Sequence, residues 1–185
     1  ATNFGPENIA ACIVEPIAGS TGTLVPPKGY LQKLRETCDK HGILLIFDEV
    51  ITGWGRTGSS FASIEYGVTP DIMTMAKATT NGVVPMGVVA CKDEIYDSVM
   101  DASPMGSVEL FHGYTYSGIP VAVAAALAVQ DIFEKEDIFE RAKNLAPYFQ
   151  KGLFSLQDLE SVENIRGYGM MGGIDMKLNT KPGKA

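Results

Sequence analysis

Two charged side chains in this sequence stand directly after apolar runs, where they could take part in chemistry. Asp48 follows the run 43–47, and Lys77 follows the run 72–76. An amine at the end of a buried strand loses hydration, which lowers its pKa and suits it to Schiff-base formation with a carbonyl compound. Ligands of parallel α/β sheets bind beyond the carboxyl ends of the strands, so this acid and this lysine could face one crevice.

Both side chains also have ordinary structural interpretations. Most lysines are solvated or lay their aliphatic stem along the surface. Asp48 and Glu49 could cap a helix or form a solvated pair. An apolar strand ending in Asp-Glu also resembles a Walker B element, in which the aspartate holds a magnesium ion. No G-x-x-x-x-G-K-[ST] loop accompanies it in this sequence, although an upstream segment could contain one.

A glycine-rich stretch offers another alternative, a dinucleotide-binding site. Residues 53–58 fit the pattern G-x-G-x-x-G, and Asp71 lies downstream. A dinucleotide fingerprint needs glycine directly after a strand, a helix directly after the glycines, and an acid at the end of the next strand. Here residues 48–52 separate the glycines from the strand and Asp71 begins a strand, so the match is incomplete.

The elements that would position these residues alternate between apolar runs and amphipathic segments, which predicts an α/β fold. We expect strands at 10–17, 43–47, 71–76, 83–90 and, as one or two strands, 162–176. We expect helices at 30–41, ended by Gly42, and at 92–100, 120–134 and 137–153, the last one interrupted or shifted by Pro147. The continuous apolar run at 43–47 favours a parallel sheet that is covered on both faces.

Composition narrows the class of protein. With 185 residues, of which 45% are hydrophobic, the chain can form one good-sized core or two small ones. A net charge of −7 argues against nucleic acid or an anionic membrane as the main partner. No signal-peptide pattern is visible, and the longest apolar stretch, 119–129, is too short to span a bilayer. We therefore expect a cytoplasmic protein.

The cysteines and histidines give no sign of a metal site or a disulfide scaffold. The three cysteines are odd in number and unclustered, and the two histidines have no ligand spacing relative to them. The cysteines are best interpreted as buried small hydrophobes in a reducing compartment.

A series of short motifs runs in order along nearly the whole chain. The motifs are VEPIAG at 14–19, VPP at 25–27, IFDEVITGWGRTG at 46–58, TPD at 69–71, AK at 76–77, TNG at 80–82, ELFHGYTYSG at 109–118 and IRGYG at 165–169. In this order they resemble the class III aminotransferases, which use pyridoxal 5′-phosphate (PLP), and within that family the ω-amino acid transaminases.

The resemblance implies a fold and a domain organisation. The fold would be type I of the PLP-dependent transferases, with a mostly parallel, helix-covered sheet. Residues 1–134 would form the second half of the PLP-binding large domain, and 135–185 the start of an incomplete small C-terminal domain. Family members are more than twice as long, and their phosphate-binding loop and carboxylate-binding arginine have no counterpart here. We therefore expect the chain to be a fragment that is inactive alone.

The resemblance also implies roles for individual residues. Lys77 would hold PLP covalently and then move the proton between the substrate α-carbon and the cofactor. Asp48 would pair with the pyridine nitrogen and keep it protonated. Val50 would lie against the ring face, or else be a core residue. Many family members have Gln at the position of Ile51, where it bonds the 3-hydroxyl of PLP, and Ile51 cannot make that bond.

A second group of residues would serve the cofactor phosphate. The resemblance implies that Thr115 contacts the phosphate across a dimer interface, in the active site of the partner subunit. Tyr114 and Ser117 are neighbouring candidates, whose alternative roles are loop packing and the N-cap of the next helix. We therefore expect a homodimer or homotetramer with shared active sites.

The implied activity is the transfer of an amino group from β-alanine, another ω-amino acid or an amine to pyruvate. Two half-reactions would give ping-pong kinetics. One alternative is a class III aminomutase or decarboxylase, which shares Asp48 and Lys77 and differs in its need for an amino acceptor. The other is a catalytically inactive fragment that acts as an interaction module, which would not bind PLP.

Overall fold

Four strands form one sheet at the centre of the chain. The computed structural model describes residues 5–105 and 114–177. The strands lie in the order β1-β2-β3-β4, with bounds Ala11–Val14, Leu44–Asp48, Ile72–Met75 and Val88–Cys91. The first three run parallel, and β4 pairs antiparallel with β3. The predicted α/β architecture with a mostly parallel sheet is confirmed.

Five helices and a hairpin complete the described elements. The helices are α1 Tyr30–His41, α2 Ala62–Tyr66, α3 Asp93–Ala102, α4 Pro120–Lys135 and α5 Ile138–Phe154. Strands β5 (Val162–Tyr168) and β6 (Met171–Met176) form an antiparallel hairpin. Short 3-10 helices occupy Pro6–Asn8 and Lys77–Thr79. Helix α1 has its predicted bounds and ends where Gly42 adopts a left-handed conformation, with φ 66°.

The core lies between α1 and the sheet. Its buried members are Leu31, Cys38, Ile43, Leu45, Phe47 and Val68. Leu45 and Phe47 are fully buried and alternate along β2 with partly buried neighbours. Burial of each such side chain stabilises the fold by about 1.5–3 kcal/mol. The core therefore fixes β2 firmly up to Asp48, the last residue of the strand.

Strand β4 is shorter than the sequence predicted. The expected strand 83–90 begins only at Val88. The Val83 N–H donates to Thr80 O at 3.1 Å, and the Thr80 hydroxyl donates to Val84 O at 2.5 Å, so these residues form a turn. Pro85 has no N–H to donate to a neighbouring strand. The prediction for residues 83–87 was therefore wrong.

Helix α5 runs through its proline. The sequence predicted an interruption or shift at Pro147, but Ile138–Phe154 is one helix with Pro147 inside it. A proline removes a single N–H bond from the helix ladder, and the hydrogen-bonded turns on both sides maintain the helix. The expected interruption was therefore wrong.

The predicted domain boundary near residue 135 falls close to the link between α4 and α5 and stays a prediction. Hydrogen bonds connect the two sides of this boundary. The Tyr168 hydroxyl donates to Glu65 Oε1 at 2.6 Å. The Met170 N–H donates to Arg56 O at 2.8 Å. The β5–β6 hairpin therefore contacts both α2 and the loop after β2.

Asp71, which precedes β3, is the centre of a buried ion-pair cluster. Its Oδ2 accepts bonds from Arg35 Nη1 and from the Leu45 N–H, both at 2.7 Å, and its Oδ1 lies 2.6 Å from Lys92 Nζ. Burial alone would raise the pKa of Asp71, but the bonds from Lys92, Leu45 and Arg35 together lower it to about 2. The cluster connects α1, β2 and the residue before α3. Asp71 is therefore a structural residue, and it holds no dinucleotide ribose.

We expect Asp71→Asn to lower the free energy of unfolding at pH 7 by about 2–4 kcal/mol, because Arg35 and Lys92 would lose their shared carboxylate. A pKa of about 2, against 3.8 for an ordinary aspartate, corresponds to roughly 2 kcal/mol of pH-dependent stability. Since the folded-state pKa is depressed, this stability is present above pH 3.8 and is lost as the pH falls towards 2. Urea unfolding at several pH values measures both effects.

The matched control is Asp39→Asn, which removes the other carboxylate bound by Arg35. Asp39 lies on the exposed side of α1, 2.6 Å from Arg35 Nη2, with its side chain 63% exposed. Surface ion pairs contribute little, so this change should alter the stability by less than about 1 kcal/mol. Equal losses in the two variants would contradict a structural role specific to Asp71.

Candidate active site

Asp48 and Lys77 lie at the same edge of the sheet. Asp48 is in register with Thr74 of the adjacent parallel strand β3. The Glu49 N–H donates to Thr74 O at 2.9 Å, which extends this pairing past the end of β2. Lys77 follows β3 after one further residue, Ala76. The carboxyl ends of the two strands therefore bring Asp48 and Lys77 to one side of the sheet.

The burial of Lys77 differs from the expectation. Its place after a buried strand predicts a side chain that loses hydration. In the structure Lys77 is exposed, whereas Met75 at the end of β3 is buried. The chain leaves the buried part of the sheet between these two residues. Burial by the described residues therefore does not supply the predicted dehydration.

The backbone around Lys77 adopts conformations that are unusual for residues with a side chain. Lys77 has φ 47°, Asn81 has φ 51° and Trp54 has φ 59°, all in the left-handed region. Such residues cost free energy and persist only where surrounding contacts hold them. Their clustering near the ends of β2 and β3 marks this region as one with a special backbone requirement.

A cavity of about 540 Å³ opens beside Lys77. It is lined by Val50, Ile51, Gly53, Arg56, Lys77, Ala78, Asn81 and Gly82. Val50 and Lys77 thus share the cavity, as the motifs implied. Ile51 also packs against Gly19, where an added Cβ would lie 2.8 Å from the Ile51 side chain.

Asp48 is half-buried at the base of this region. Its Oδ1 accepts the Val50 N–H at 3.0 Å. Among the described residues it is absent from the cavity lining, whereas Val50 belongs to it. One hydrogen bond from the backbone therefore fixes the Asp48 carboxylate next to the cavity, and this bond engages only one of its two oxygens.

Glu49 has a different role from Asp48. It is fully buried, and its carboxylate accepts bonds from the Ala62 and Ser63 N–H groups at 2.8 and 2.7 Å and from the Thr52 hydroxyl at 2.8 Å. These N–H groups belong to the first turn of α2, so Glu49 satisfies donors that the helix itself cannot pair. The helix-capping interpretation therefore holds for Glu49, and Asp48 remains available at the site.

The predicted phosphate-binding residues lie on an exposed turn before α4. Thr115, Tyr114 and Ser117 are all exposed, and the Ser117 N–H donates to Tyr114 O at 3.0 Å. Within the described part of the chain, none of the three lines the Lys77 cavity. The alternative role of Ser117 as helix N-cap is wrong, because Pro120 begins α4 and Ile119 is its N-cap. Residues 109–113 of this motif lie outside the described residues.

Sequence reasoning missed two residues beside Lys77. The Trp54 indole N–H donates to the Thr79 hydroxyl at 3.2 Å. The Trp54 ring also packs against Phe61 and Phe133, with centroid distances of 4.9 and 5.7 Å. Two sequence features could have indicated these residues, namely the position of Trp54 inside the glycine-rich loop and the threonine pair that closely follows Lys77. This loop does not open a helix directly, since α2 begins only at Ala62.

The described residues contain neither a cluster of metal-binding side chains nor a membrane-spanning helix. Within 5–105 and 114–177, no group of three or more histidine, cysteine, aspartate or glutamate side chains could hold a metal ion. In the same two segments, no helix has the length and apolar character needed to cross a membrane.

The fold and the lysine site define a class of protein, and comparison with known proteins identifies it. Residues 2–184 match the aminotransferase class-III family. The chain therefore belongs to the class III aminotransferases, and the family predicted from its motifs is confirmed. The Walker B and dinucleotide-binding interpretations are excluded with it.

Named relatives lie within the ω-transaminase branch. The chain is 54% identical to the omega-aminotransferase of Caulobacter vibrioides over 176 residues, which cover 95% of the chain and 39% of that protein. It is 55% identical to the beta-alanine–pyruvate aminotransferase of Pseudomonas aeruginosa over 170 residues, or 91% of the chain and 38% of that protein. The chain thus spans about two fifths of the length of these relatives.

Solved transaminases share the fold. An (S)-enantioselective omega-transaminase from Thermomicrobium roseum has a TM-score of 0.89 at 44% identity, covering 95% of this chain and 38% of that one. An amine transaminase from an uncultivated Pseudomonas species, solved in its PLP-bound form, has a TM-score of 0.87 at 42% identity, covering 95% and 39%. These structures confirm the fold class of the PLP-dependent transferases.

Proposed function

We propose that the protein containing this chain is a PLP-dependent aminotransferase that moves an amino group from an ω-amino acid or amine to pyruvate. The observation that carries the proposal is the register of Asp48 with Thr74, which brings Asp48 and Lys77 to one edge of the sheet. The adjacent cavity of about 540 Å³ has the size of small-molecule sites. The relatives named as ω-amino acid and β-alanine–pyruvate aminotransferases support the substrate class.

The residues at this edge fit the cofactor of the family. An exposed primary amine, a half-buried carboxylate and an apolar side chain match the aldehyde, the pyridine nitrogen and the ring face of PLP. When bound, PLP supplies a ring that accepts the electron pair left when the amine-bearing substrate carbon loses its proton. The protein has to hold this ring, keep its nitrogen protonated and move the proton.

Three residues would perform these tasks. Lys77 Nζ would bind the cofactor covalently and, when free, would hold and move the proton of the amine-bearing substrate carbon. The Asp48 carboxylate would accept a hydrogen bond from the protonated pyridine nitrogen, and its bond from the Val50 N–H orients it. The Val50 side chain lines the cavity and would pack against the ring face.

Thr115 completes the proposal as a phosphate contact across a homodimer interface, with Tyr114 and Ser117 beside it. Support comes from the exposure of this turn and from its position outside the lining of the Lys77 cavity in the same chain. An exposed hydroxyl can donate to a phosphate oxygen brought by a second subunit. The working unit would be a homodimer or homotetramer.

Mixed dimers test this sharing of active sites. We expect Thr115→Ala to weaken PLP binding about 10-fold to 100-fold through the lost bond to a charged phosphate. A heterodimer of Lys77→Ala and Thr115→Ala subunits should recover one intact site, because one lysine site then receives Thr115 from the other subunit. Activity and PLP content of tagged, purified heterodimers measure the recovery. If the heterodimer, per intact Lys77, is no more active than the Thr115→Ala homodimer, the active site is not shared.

The activity itself is tested with the full-length protein, saturating PLP, β-alanine and pyruvate. Formation of alanine that depends on pyruvate supports the proposed transfer. Product formation without an acceptor would favour the aminomutase or decarboxylase. A protein that does not acquire the visible absorbance of bound PLP would favour the inactive interaction module. The cytoplasmic location expected from the sequence stays a prediction, which cell fractionation can check.

A further inference from the structure

We infer that Trp54 and Thr79 are positioning residues for Lys77. They form a hydrogen-bond relay that holds the backbone from which Lys77 projects. The inference rests on the proposed role of Lys77 in binding PLP. Its physical basis is the strained conformation of Lys77 and the set of bonds around it.

The conformation of Lys77 has to be imposed by its neighbours. Ala76 continues the extended backbone of β3, with φ −159° and ψ −148°, and Lys77 then turns to φ 47°. A left-handed conformation is unfavourable for a residue with a Cβ atom. Without external bonds, Lys77 would relax towards a commoner conformation, which would redirect its long side chain.

Thr79 closes the turn that contains Lys77. Ala76 O accepts both the Thr79 N–H and the Thr79 hydroxyl, each at 3.0 Å. The Gly82 N–H donates to Lys77 O at 3.2 Å on the other side of the turn. The carbonyl groups on both sides of the Lys77 backbone are therefore engaged, and Thr79 supplies two of these three bonds.

The Trp54 indole fixes the direction of the Thr79 hydroxyl. A hydroxyl has one proton to donate and can also accept, whereas the indole N–H can only donate. Because Trp54 Nε1 donates to Thr79 Oγ1, the hydroxyl proton has to point elsewhere, and Ala76 O is its partner. Thr79 is 3% exposed, so water has little access to replace either bond. Bonds in such a chain polarise and strengthen one another.

Trp54 is itself held firmly, which makes it an effective anchor. Its ring contacts both Phe61 and Phe133, and its backbone N–H donates to Ser60 O at 2.6 Å. Phe133 belongs to α4, so the relay extends from α4 through the loop after β2 to the end of β3. The relay thus connects a helix on one side of the site to the backbone of Lys77.

The test compares variants of the full-length protein, prepared free of PLP, in the rate at which added PLP attaches to Lys77. Attachment joins Lys77 Nζ to the aldehyde carbon through a C=N bond and releases one water, and stopped-flow absorbance in the visible range follows it. We expect Trp54→Phe and Thr79→Val each to slow attachment about 5-fold to 10-fold. The double variant should be no slower than either single variant, because both remove the same relay.

Conservative changes and a neighbouring hydroxyl provide the controls. Thr79→Ser keeps the hydroxyl and should stay within about 2-fold of the wild type. Thr80→Val removes the adjacent buried hydroxyl, which donates to Val84 O and lies outside the relay, and it should not slow attachment comparably. In steady-state assays the relay variants should lower kcat while leaving KM for the amino donor unchanged. Trp54→Phe retains an aromatic ring for Phe61 and Phe133, so it remains informative if Thr79→Val does not fold.

Several results would overturn the relay. The relay is wrong if Trp54→Phe and Thr79→Val attach PLP at the wild-type rate. It is also wrong if the losses of attachment rate add in the double variant, or if Thr80→Val slows attachment equally. If PLP never attaches to Lys77 in the wild-type protein, the proposed function is wrong as well. Wild-type attachment with unaffected variants refutes the relay alone.

Discussion

Replacing Lys77 by alanine is expected to lower kcat of the full-length protein by about 10³-fold or more. The change removes the amine that we propose to bind PLP covalently and to move the proton of the amine-bearing substrate carbon. A positioned acid–base group alone contributes about 10²-fold to 10⁴-fold to a rate. PLP should still bind through its other contacts, but without the visible absorbance of covalent attachment. Single-turnover kinetics with β-alanine and absorbance spectra of the PLP-loaded protein measure the two effects.

Borohydride reduction identifies the attached lysine directly. Peptide mapping of the reduced wild-type protein should find the pyridoxyl label on Lys77. The control is Lys33→Ala, because Lys33 is an exposed residue of α1 whose Nζ lies 2.8 Å from Glu36 Oε2. This variant should keep wild-type activity and labelling. Finding the label on Lys92 or another lysine would end the assignment of Lys77.

Asp48→Asn is expected to lower kcat about 10²-fold to 10³-fold, while PLP affinity falls much less. The asparagine keeps the shape of the side chain and a carbonyl oxygen that can accept the Val50 N–H. It removes the negative charge that holds the pyridine nitrogen protonated, and loss of one preorganised electrostatic contact has an effect of this size in other enzymes. Proton-transfer rates from single-turnover experiments, together with PLP titrations, separate the two consequences.

Asp39→Asn is the matched control, since it makes the same chemical change on the exposed face of α1. It should leave kcat and PLP affinity unchanged. Near-normal turnover of the Asp48→Asn protein would mean that Asp48 is a structural residue at the end of β2. Asp48 would then not be the group that keeps the pyridine nitrogen of PLP protonated.

The positions of Asp48 and Lys77 could be predicted from sequence because they depend on local patterns. The apolar run at 43–47 marks a buried strand, and parallel strands necessarily place their carboxyl ends at one edge of the sheet. The bounds of α1 followed from its apolar spacing and from Gly42. These features are determined within about a dozen residues of chain, so the sequence shows them directly.

The parts of the site that could not be predicted from the sequence depend on contacts between distant segments. The burial of Glu49 against α2 depends on N–H groups at Ala62 and Ser63. The bond from Trp54 to Thr79 joins residues 25 positions apart. Sequence periodicity does not reveal such contacts. We infer that the left-handed backbone of Lys77 depends on the bond from Trp54 to Thr79. The exposure of Lys77 was missed for a related reason, since the sequence indicates where a strand ends but not what covers the residues after it.

The two ends of β3 have consequences for engineering this enzyme family. The Asp71 ion-pair cluster lies before the strand, and Lys77 lies just beyond its other end. Substitutions introduced around the Lys77 cavity will commonly reduce stability, and the fold tolerates them only while it keeps a reserve of stability. The ion pairs of the buried Asp71 with Arg35 and Lys92 contribute to such a reserve at the other end of β3 from Lys77. A mutagenesis campaign should therefore leave these three positions unchanged while it randomises the residues that line the Lys77 cavity.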